Sequence, residues 1–592
     1  TSNGDAVPTW VSGGTATIVV SGGTIGIDGN NNGRIFGAGR GQAGSDGVND
    51  YTHLTWVNDT YVTVSNNAEV KGCVFGSGDN GHTLNDTHVT VTGGTIGTNG
   101  STIDGNIFGG GRGQDLSGAT GELSLTAGKT FGNTNVNMTG GTIKGNLYGG
   151  GNMSTVAHST NIIVGGTAQI GASTYADGGN VYGASRGQAD MPDYAKVEST
   201  SVTIDGSGVN IQNNVYGGGE IGAVDVHLND SKAGATVPEI ASTVTIGAGT
   251  IHGDVFGGGD QGTTNSRVIV NMNGGIVEGE LFGGAKGTTG SVFVSGLKTV
   301  NMRGGEVYTN VYGGSRNADD ANTFTPTVSN TEYTSFVNIS GGTVRQNVYG
   351  AGFMGHTFGS TDINVGKDAI MNANGANTDR GTHDIVDATS LYILKDIFAG
   401  SNWGDYDPAT GFSASTISGY SNIYIDGNGY NTTDLTPLTA KFMNIEGSLF
   451  GSGTSCDGGT LGRKIQVANY GQAETGSQNL DPFSSKEEVV VLQSATRSFN
   501  SIQRCDTLIF DNASVRLVGQ GDLSQGHSTM TYSIYNIPKR EGQATGVFVR
   551  NGSNIVADKM IDGIHAVYSQ YRPGDDLYAN APTVYWVGIG NA

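Results

Sequence analysis

One phrase returns along this chain and limits what it can fold into. In its fullest form, Gly93-Gly94-Thr95-Ile96 precedes Asp104-Gly105-Asn106-Ile107-Phe108-Gly109-Gly110-Gly111. The second half recurs as Gly145-Asn146-Leu147-Tyr148-Gly149-Gly150-Gly151 and as Gly253-Asp254-Val255-Phe256-Gly257-Gly258-Gly259. Twelve copies carry their aromatic at Phe36, Phe75, Phe108, Tyr148, Tyr182, Tyr216, Phe256, Phe282, Tyr312, Tyr349, Phe398 and Phe450, in steps of 26 to 52 residues. Repeats of this length build solenoids, propellers or arrays, in which each unit buries its apolar face against its neighbours. One elongated domain therefore suits the 592 residues better than several globular ones.

Each repeat has three pieces. An alternating stretch such as Thr87-His88-Val89-Thr90-Val91 comes first. A Gly turn and a short stretch such as Gly140-Gly141-Thr142-Ile143 follow, and then the aliphatic–aromatic pair that ends in glycines. Period-two alternation with β-branched residues, punctuated by Gly, reads as strands and turns. Three short strands with tight corners predict an all-β chain: a right-handed parallel β-helix, or β-solenoid, with equivalent strands stacked about 4.8 Å apart. A propeller is the alternative, but the step of 26 residues from Phe256 to Phe282 is short for a four-stranded blade. Residues 1–15 are expected to cap the array, residues 16–455 to form its roughly twelve coils, and residues 456–592 to finish it with irregular β coils and a C-terminal cap. A separate β-sandwich is the alternative for the last segment.

The repeat also assigns faces. The place before the aromatic is aliphatic in every copy (Val74, Ile107, Leu147, Val215), and so is the place five before it in most (Val70, Ile103, Ile143, Ile211). Strand parity puts both on the core side. Four places before the aromatic stand Lys71, Asp104, Lys144, Gln212, His252, Glu278, Tyr308 and Arg345, on the solvent side. This register sets Lys71 beside Asp104 and His252 beside Glu278 on adjacent rungs.

Two places before the aromatic lie Asn106, Asn146, Asn180, Asn214, Asn310 and Asn347, with Asp254 and Glu280 interrupting. They are expected to stack as a structural amide ladder. Parity puts the aromatics on that same outer side. Phe36, Phe75, Phe108, Tyr148, Tyr182, Tyr216 and Phe256 would then head a stripe on which sugars stack or another rod packs, unless the Gly corner turns the rings inward or a loop covers them. Just past the corner, Gly39-Arg40-Gly41-Gln42, Gly111-Arg112-Gly113-Gln114 and Ser185-Arg186-Gly187-Gln188 recur, with Lys286 and Arg316 at related places. Such arginines either grip carboxylates of an acidic glycan or pin their own loops.

Charge narrows the partners. Lys plus Arg number 30 against 52 Asp plus Glu, a net charge of −22. That balance argues against nucleic acid, which needs a basic patch. No apolar run reaches the length of a membrane span, so no membrane insertion is expected. Neither a leader at Thr1 nor a hydrophobic anchor at Ala592 is visible, so a processed chain or an excised piece is expected. Cys456 and Cys505 are a candidate disulfide, with free buried thiols the alternative. No metal site and no cofactor are expected. Calcium has one weak motif, Asp28-Gly29-Asn30-Asn31-Asn32-Gly33, which lacks its closing carboxylate because Gly39 stands at the twelfth position.

The phrase Gly-Gly-Thr-Ile/Val followed by Gly-Asn-Val-Tyr-Gly-Gly-Gly resembles the repeats of adhesin-like, Gly-rich surface proteins of gut bacteria. The resemblance covers roughly residues 16–455. It implies a β-helix that is secreted or on the cell surface, and leaves the ligand open.

The expected function is accordingly an extracellular, non-enzymatic scaffold for adhesion or display, binding a host or microbial glycan or a surface protein through its loop-lined edge. Two alternatives stand beside it. One is a self-associating subunit of a filament or coat. The other is a polysaccharide lyase or hydrolase, for which His252, Asp254, Glu278 and Glu280 are the one clustered ionisable set in the repeats.

Overall fold

The computed structural model describes residues 14–28, 32–41, 55–98, 105–113, 126–171, 178–189, 191, 194–228, 240–288, 294–319, 334–355, 357, 359–366, 391–402, 406–407, 412–413, 419–426, 443–445, 447–454, 462–468, 498–499, 502–503, 505, 507–511, 513–517, 534–535, 546–550 and 554–557. They form an all-β parallel solenoid. No helix among them is long and apolar enough to cross a membrane. The chain divides into two compact units, Thr1–Lys298 with Ser315–Thr323 and Thr299–Gly314 with Phe324–Ala592.

In the first unit the alternating stretches stack as long strands. Ala16–Val20 pairs with Thr60–Val64, which pairs with the start of Thr87–Ile96. The ladder continues through Thr134–Ile143, Val156–Gly165, Val197–Asp205, Ile240–Ile246 and Arg267–Met272, all parallel. The inward residues of these strands, such as Val89, Val136, Ile162, Val202 and Val244, are at most 1% exposed. The short strands stack in a second column, in which Ile96 pairs with Val70 on one side and Ile143 on the other. Ile96, and not the expected Ile103, thus fills that core place, while Ile103 and Asp104 lie outside the described residues. The aliphatic–aromatic pairs form a third ladder in the register read from the sequence, Val74–Phe75 on Ile107–Phe108 on Leu147–Tyr148.

A fourth column escapes the three-piece reading. Thr83, Thr130, Val156, Val197, Val224, Thr264 and Val294 bridge successive coils after the Gly corner. Val156, Val197 and Val224 pack with Ala184, Val226 and Ala241 in a small core of their own. No periodic signal marks this column, because its distance from the corner changes from coil to coil.

Two sequence features lock the corners. One threonine column of the long strands donates its hydroxyl to the carbonyl of the glycine after the aromatic: Thr87 to Gly109 at 2.5 Å, Thr134 to Gly149 at 2.6 Å and Thr200 to Gly217 at 2.6 Å. This bond ties opposite sides of one coil together. The second concerns the Gly-Arg-Gly-Gln motif. A Cβ on Gly113 would run into the carbonyl oxygen of Met153 on the next coil. Met153 holds the left-handed conformation, φ 52°, as do Asn80 at 59° and Ile221 at 63°.

In the second unit, Ser335–Ile339, Thr361–Val365, Tyr420–Asp426, Gly462–Ala468, Thr507–Asp511 and Gly546–Arg550 stack in parallel. The strand pairing of the third ladder continues past the last copy of the phrase. Leu449–Phe450 pairs with Ile502–Gln503, and that pair with Ile534–Tyr535. Ser498–Phe499, Ser514–Leu517 and Asn554–Ala557 form a separate three-stranded parallel sheet. Tyr406–Asp407 and Phe412–Ser413 make a small antiparallel pair.

Candidate functional site

Three columns flank the aromatic strand and hold most of the residues with chemistry. The aromatic column itself is buried, which corrects the outward stripe expected from parity. In the first unit the rings from Phe36 to Phe282 stack face to face, centroids 4.6–5.1 Å apart and planes within 3–7°. Phe75, Phe108, Tyr148, Tyr182, Tyr216 and Phe256 are at most 4% exposed, and Phe36 is half-buried. In the second unit Tyr312–Tyr349–Phe398–Phe450 repeat the stack at 4.5–5.0 Å. The rung spacing imposes this face-to-face geometry on rings that would otherwise prefer an offset.

Parity is not wrong about the side; it misses what covers it. Past the Gly corner, the residue four places beyond a ring reaches the tyrosine two coils earlier, as Glu220 does to Tyr148, Lys286 to Tyr216 and Asn402 to Tyr312. Tyr148 Oη donates to Glu220, and Asn146 Nδ2 donates to the same phenol at 3.3 Å. Tyr216 Oη accepts from Lys286 Nζ at 3.2 Å and from Asn214 Nδ2 at 3.1 Å. Each tyrosine ring thus stands between the Asn column and the charged column. Burial, reinforced by Glu220 and Asp260 respectively, pushes both phenols well above their usual range and keeps them protonated.

The Asn column is a ladder, but its main bond is not amide to amide. Each Oδ1 accepts the backbone N–H of the next rung: Asn106 from Asn146 at 2.7 Å, Asn146 from Asn180 at 2.8 Å, Asn180 from Asn214 at 3.0 Å and Asn214 from Asp254 at 2.7 Å. Asp254 accepts from Glu280 N at 2.8 Å in turn. Asp254 therefore does not interrupt the ladder, because the bond needs an Oδ1 acceptor, which Asp and Asn share. In the second unit Asn310 serves Asn347 at 3.0 Å, Asn347 serves Asp396 at 3.1 Å, and Asp396 serves Ser448 at 2.7 Å.

The motif arginines stand four places past their aromatics, in a column with Asp79, Asn152, Glu220, Asp260 and Lys286. Signs alternate along much of it. Asp79 lies 3.5 Å from Arg40 and 3.0 Å from Arg112, Glu220 lies 3.4 Å from Arg186, and Asp260 lies 3.1 Å from Lys286. The carboxylates expected on an acidic glycan are supplied here by neighbouring coils of the same chain. The sequence held this signal: the residue four places past each ring reads Arg, Asp, Arg, Asn, Arg, Glu, Asp, Lys, Arg from Arg40 to Arg316.

The His252 cluster is similarly engaged. His252 Nδ1 meets Glu278 Oε2 at 2.8 Å, the pair expected from the register. Asp254 Oδ2 lies 2.9 Å from Arg316 Nη1, and Glu280 lies 3.9 Å from the same atom. The cluster thus splits into a hydrogen-bonded pair, His252 with Glu278, and an ion-pair set of Asp254 and Glu280 around Arg316. Among the described residues no three His, Cys, Asp or Glu side chains group to hold a metal ion. In the calcium-like stretch, residues 29–31 lie outside the described residues, and Lys71 Nζ sits 3.4 Å from Asp28. Cys505 is buried, and Cys456 lies outside the described residues.

One titratable group went unnoticed in the sequence. Asp362, on the second-unit long strand Thr361–Val365, is fully buried and accepts a hydrogen bond from Asn422 Nδ2 at 2.7 Å. Burial pushes its carboxyl up to about 6, against the pull of Asn422 and the Lys464 charge.

Compared with known proteins, the chain matches no family model, no curated protein and no solved structure.

Proposed function

We propose that this chain is an extracellular, secreted or surface-bound β-helix scaffold that acts in adhesion or display without catalysing a reaction. It would hold a glycan or a surface protein against its outer surface. One observation supports this reading above others: the recurring polar positions are joined to neighbouring rungs. The Asn column binds backbone N–H groups, the carboxylates of the charged column pair with its own cations, and the hydroxyls of Tyr148 and Tyr216 bridge the two. His252 and Asp254, the residues nearest to an active-site reading, lie in the same kind of rung-to-rung pairs. Side chains arranged this way stiffen the stacked coils and suit presentation over turnover.

The test is to coat a surface with the full chain, measure retention of bacterial and host cells, and assay soluble polysaccharides for released reducing ends or unsaturated products. Retention without product is the expected result. Product formation abolished by Glu278→Gln would replace the scaffold reading with an enzymatic one.

A further inference from the structure

Across the five residues that align in every rung, the outer face of the first unit's long strands carries no Asp, Glu, Lys or Arg. Eight rungs stack from Ala16–Val20 to Arg267–Met272; in the five residues that align in each, counted from Ala16, Thr60, Thr87, Thr134, Thr160, Thr200, Ser242 and Val268, the second and fourth face outward, and every one of these is exposed or half-exposed. One file runs from Thr17 to Ile269 and the other from Val19 to Asn271. None of these positions is Asp, Glu, Lys or Arg, in a chain whose net charge is −22. Thr, Asn and Ser dominate, and Tyr61 stacks on His88 at 4.6 Å toward one end. Asp59 and Asp86 border the stripe on one side and Asp205 on the other.

We propose that this face is a track for a neutral, extended, linear polysaccharide lying along the stack of coils. The proposal rests on the adhesion reading above and specifies its ligand. Charge selects the ligand first. A neutral stripe bordered by carboxylates repels uronate-rich and sulfated glycans, and admits uncharged ones. Shape selects next. Seven rung intervals give a stripe about 34 Å long. Two side chains side by side make it on the order of 10 Å wide. Its area is then a few hundred Å², below the roughly 800 Å² per partner of a stable protein interface. A long narrow stripe of that kind suits a chain lying lengthwise and not a second copy or a globular partner.

Chemistry agrees. Hydroxyls and amides offer a donor and an acceptor on nearly every rung, matching the equatorial hydroxyls of an extended β-linked chain, whose sugars advance by close to one rung each. The β-branched methyls between them meet the C–H faces of the sugars. The paired strands hold the array rigid, so little ordering cost falls on the protein when it binds.

The experiment is affinity electrophoresis of the full chain in gels containing xylan, galactomannan, hydroxyethyl cellulose or polygalacturonate, with pull-down on insoluble cellulose. The variants are Thr90→Glu with Thr203→Glu on the face, and Arg345→Ala in the second unit as control. Retention by at least one neutral glycan and none by polygalacturonate is expected, with at least a tenfold loss of affinity in the double variant and none in the control. Melting curves of the double variant should match the parent, separating lost binding from lost fold. Glycan retention unchanged by Thr90→Glu/Thr203→Glu overturns the track and leaves adhesion standing. Cell retention without binding to any neutral glycan does the same. A parent chain that retains neither cells nor any neutral glycan overturns the track together with the adhesion reading.

Discussion

Lys286 Nζ donates a hydrogen bond to the phenol of Tyr216, 70 positions earlier, while also holding Asp260 at 3.1 Å. The two residues sit on coils two apart, and their contact closes the charged column over the aromatic stack. Tyr216→Phe should keep the ring and lose this bond, at a cost of about 0.5–1.5 kcal/mol. Phe108→Ala removes a ring with neighbours on both faces, and should cost about 3–5 kcal/mol. Urea midpoints of the two variants check the ordering.

The Asn ladder makes a prediction about which substitution is tolerated. Asn180→Asp keeps the Oδ1 that accepts Asn214 N, as Asp254 does naturally one step along from Asn214. Asn180→Ala leaves that N–H without its acceptor, and should cost about 1–3 kcal/mol. Denaturant curves should rank Asp close to the parent and Ala well below it.

Ile221 holds φ 63°, a conformation that a β-branched side chain disfavours by roughly 1–2 kcal/mol. Ile221→Gly should therefore raise the melting temperature. Gly113→Ala should lower it, since the added methyl runs into the Met153 carbonyl. Differential scanning calorimetry of the pair tests opposite signs at equivalent places of two coils.

Asp362 gives the second unit a dependence on pH. Its folded-state pKa, about 6, lies above the ordinary carboxylate value of 3.8. The protonated form is thus favoured in the folded state. The stabilisation is complete below pH 3.8 and is lost as pH rises through 6. The loss should be on the order of 3 kcal/mol. Asp362→Asn should flatten that slope between pH 4 and 7 while keeping an acceptor for Asn422. Unfolding midpoints measured across this range decide the matter. A slope unchanged in the variant would assign the pH dependence to other groups.

Much of the architecture was present in the one-dimensional pattern. The glycine spacing, the alternating Thr-x-Val-x-Val stretches and the aliphatic place before each aromatic determine parallel stacking and its register, because each is a strictly local requirement repeated coil after coil. Val74 on Ile107 on Leu147 follows from alignment alone. The direction of the aromatic column did not follow. Parity assigns Tyr216 to the outer side correctly, but whether that side is wet depends on where the chain goes after the corner. One of the bonds that cover it comes from Lys286, two coils away, four places past the ring of its own coil. For the same reason Arg112 looked like a ligand for an external carboxylate until Asp79 stood 3.0 Å from it. Local periodicity determined which residues stack; only the tertiary path of the corner decided which stacks are covered, because the covering residue belongs to a coil two further on and spacing within one repeat does not specify contacts between repeats.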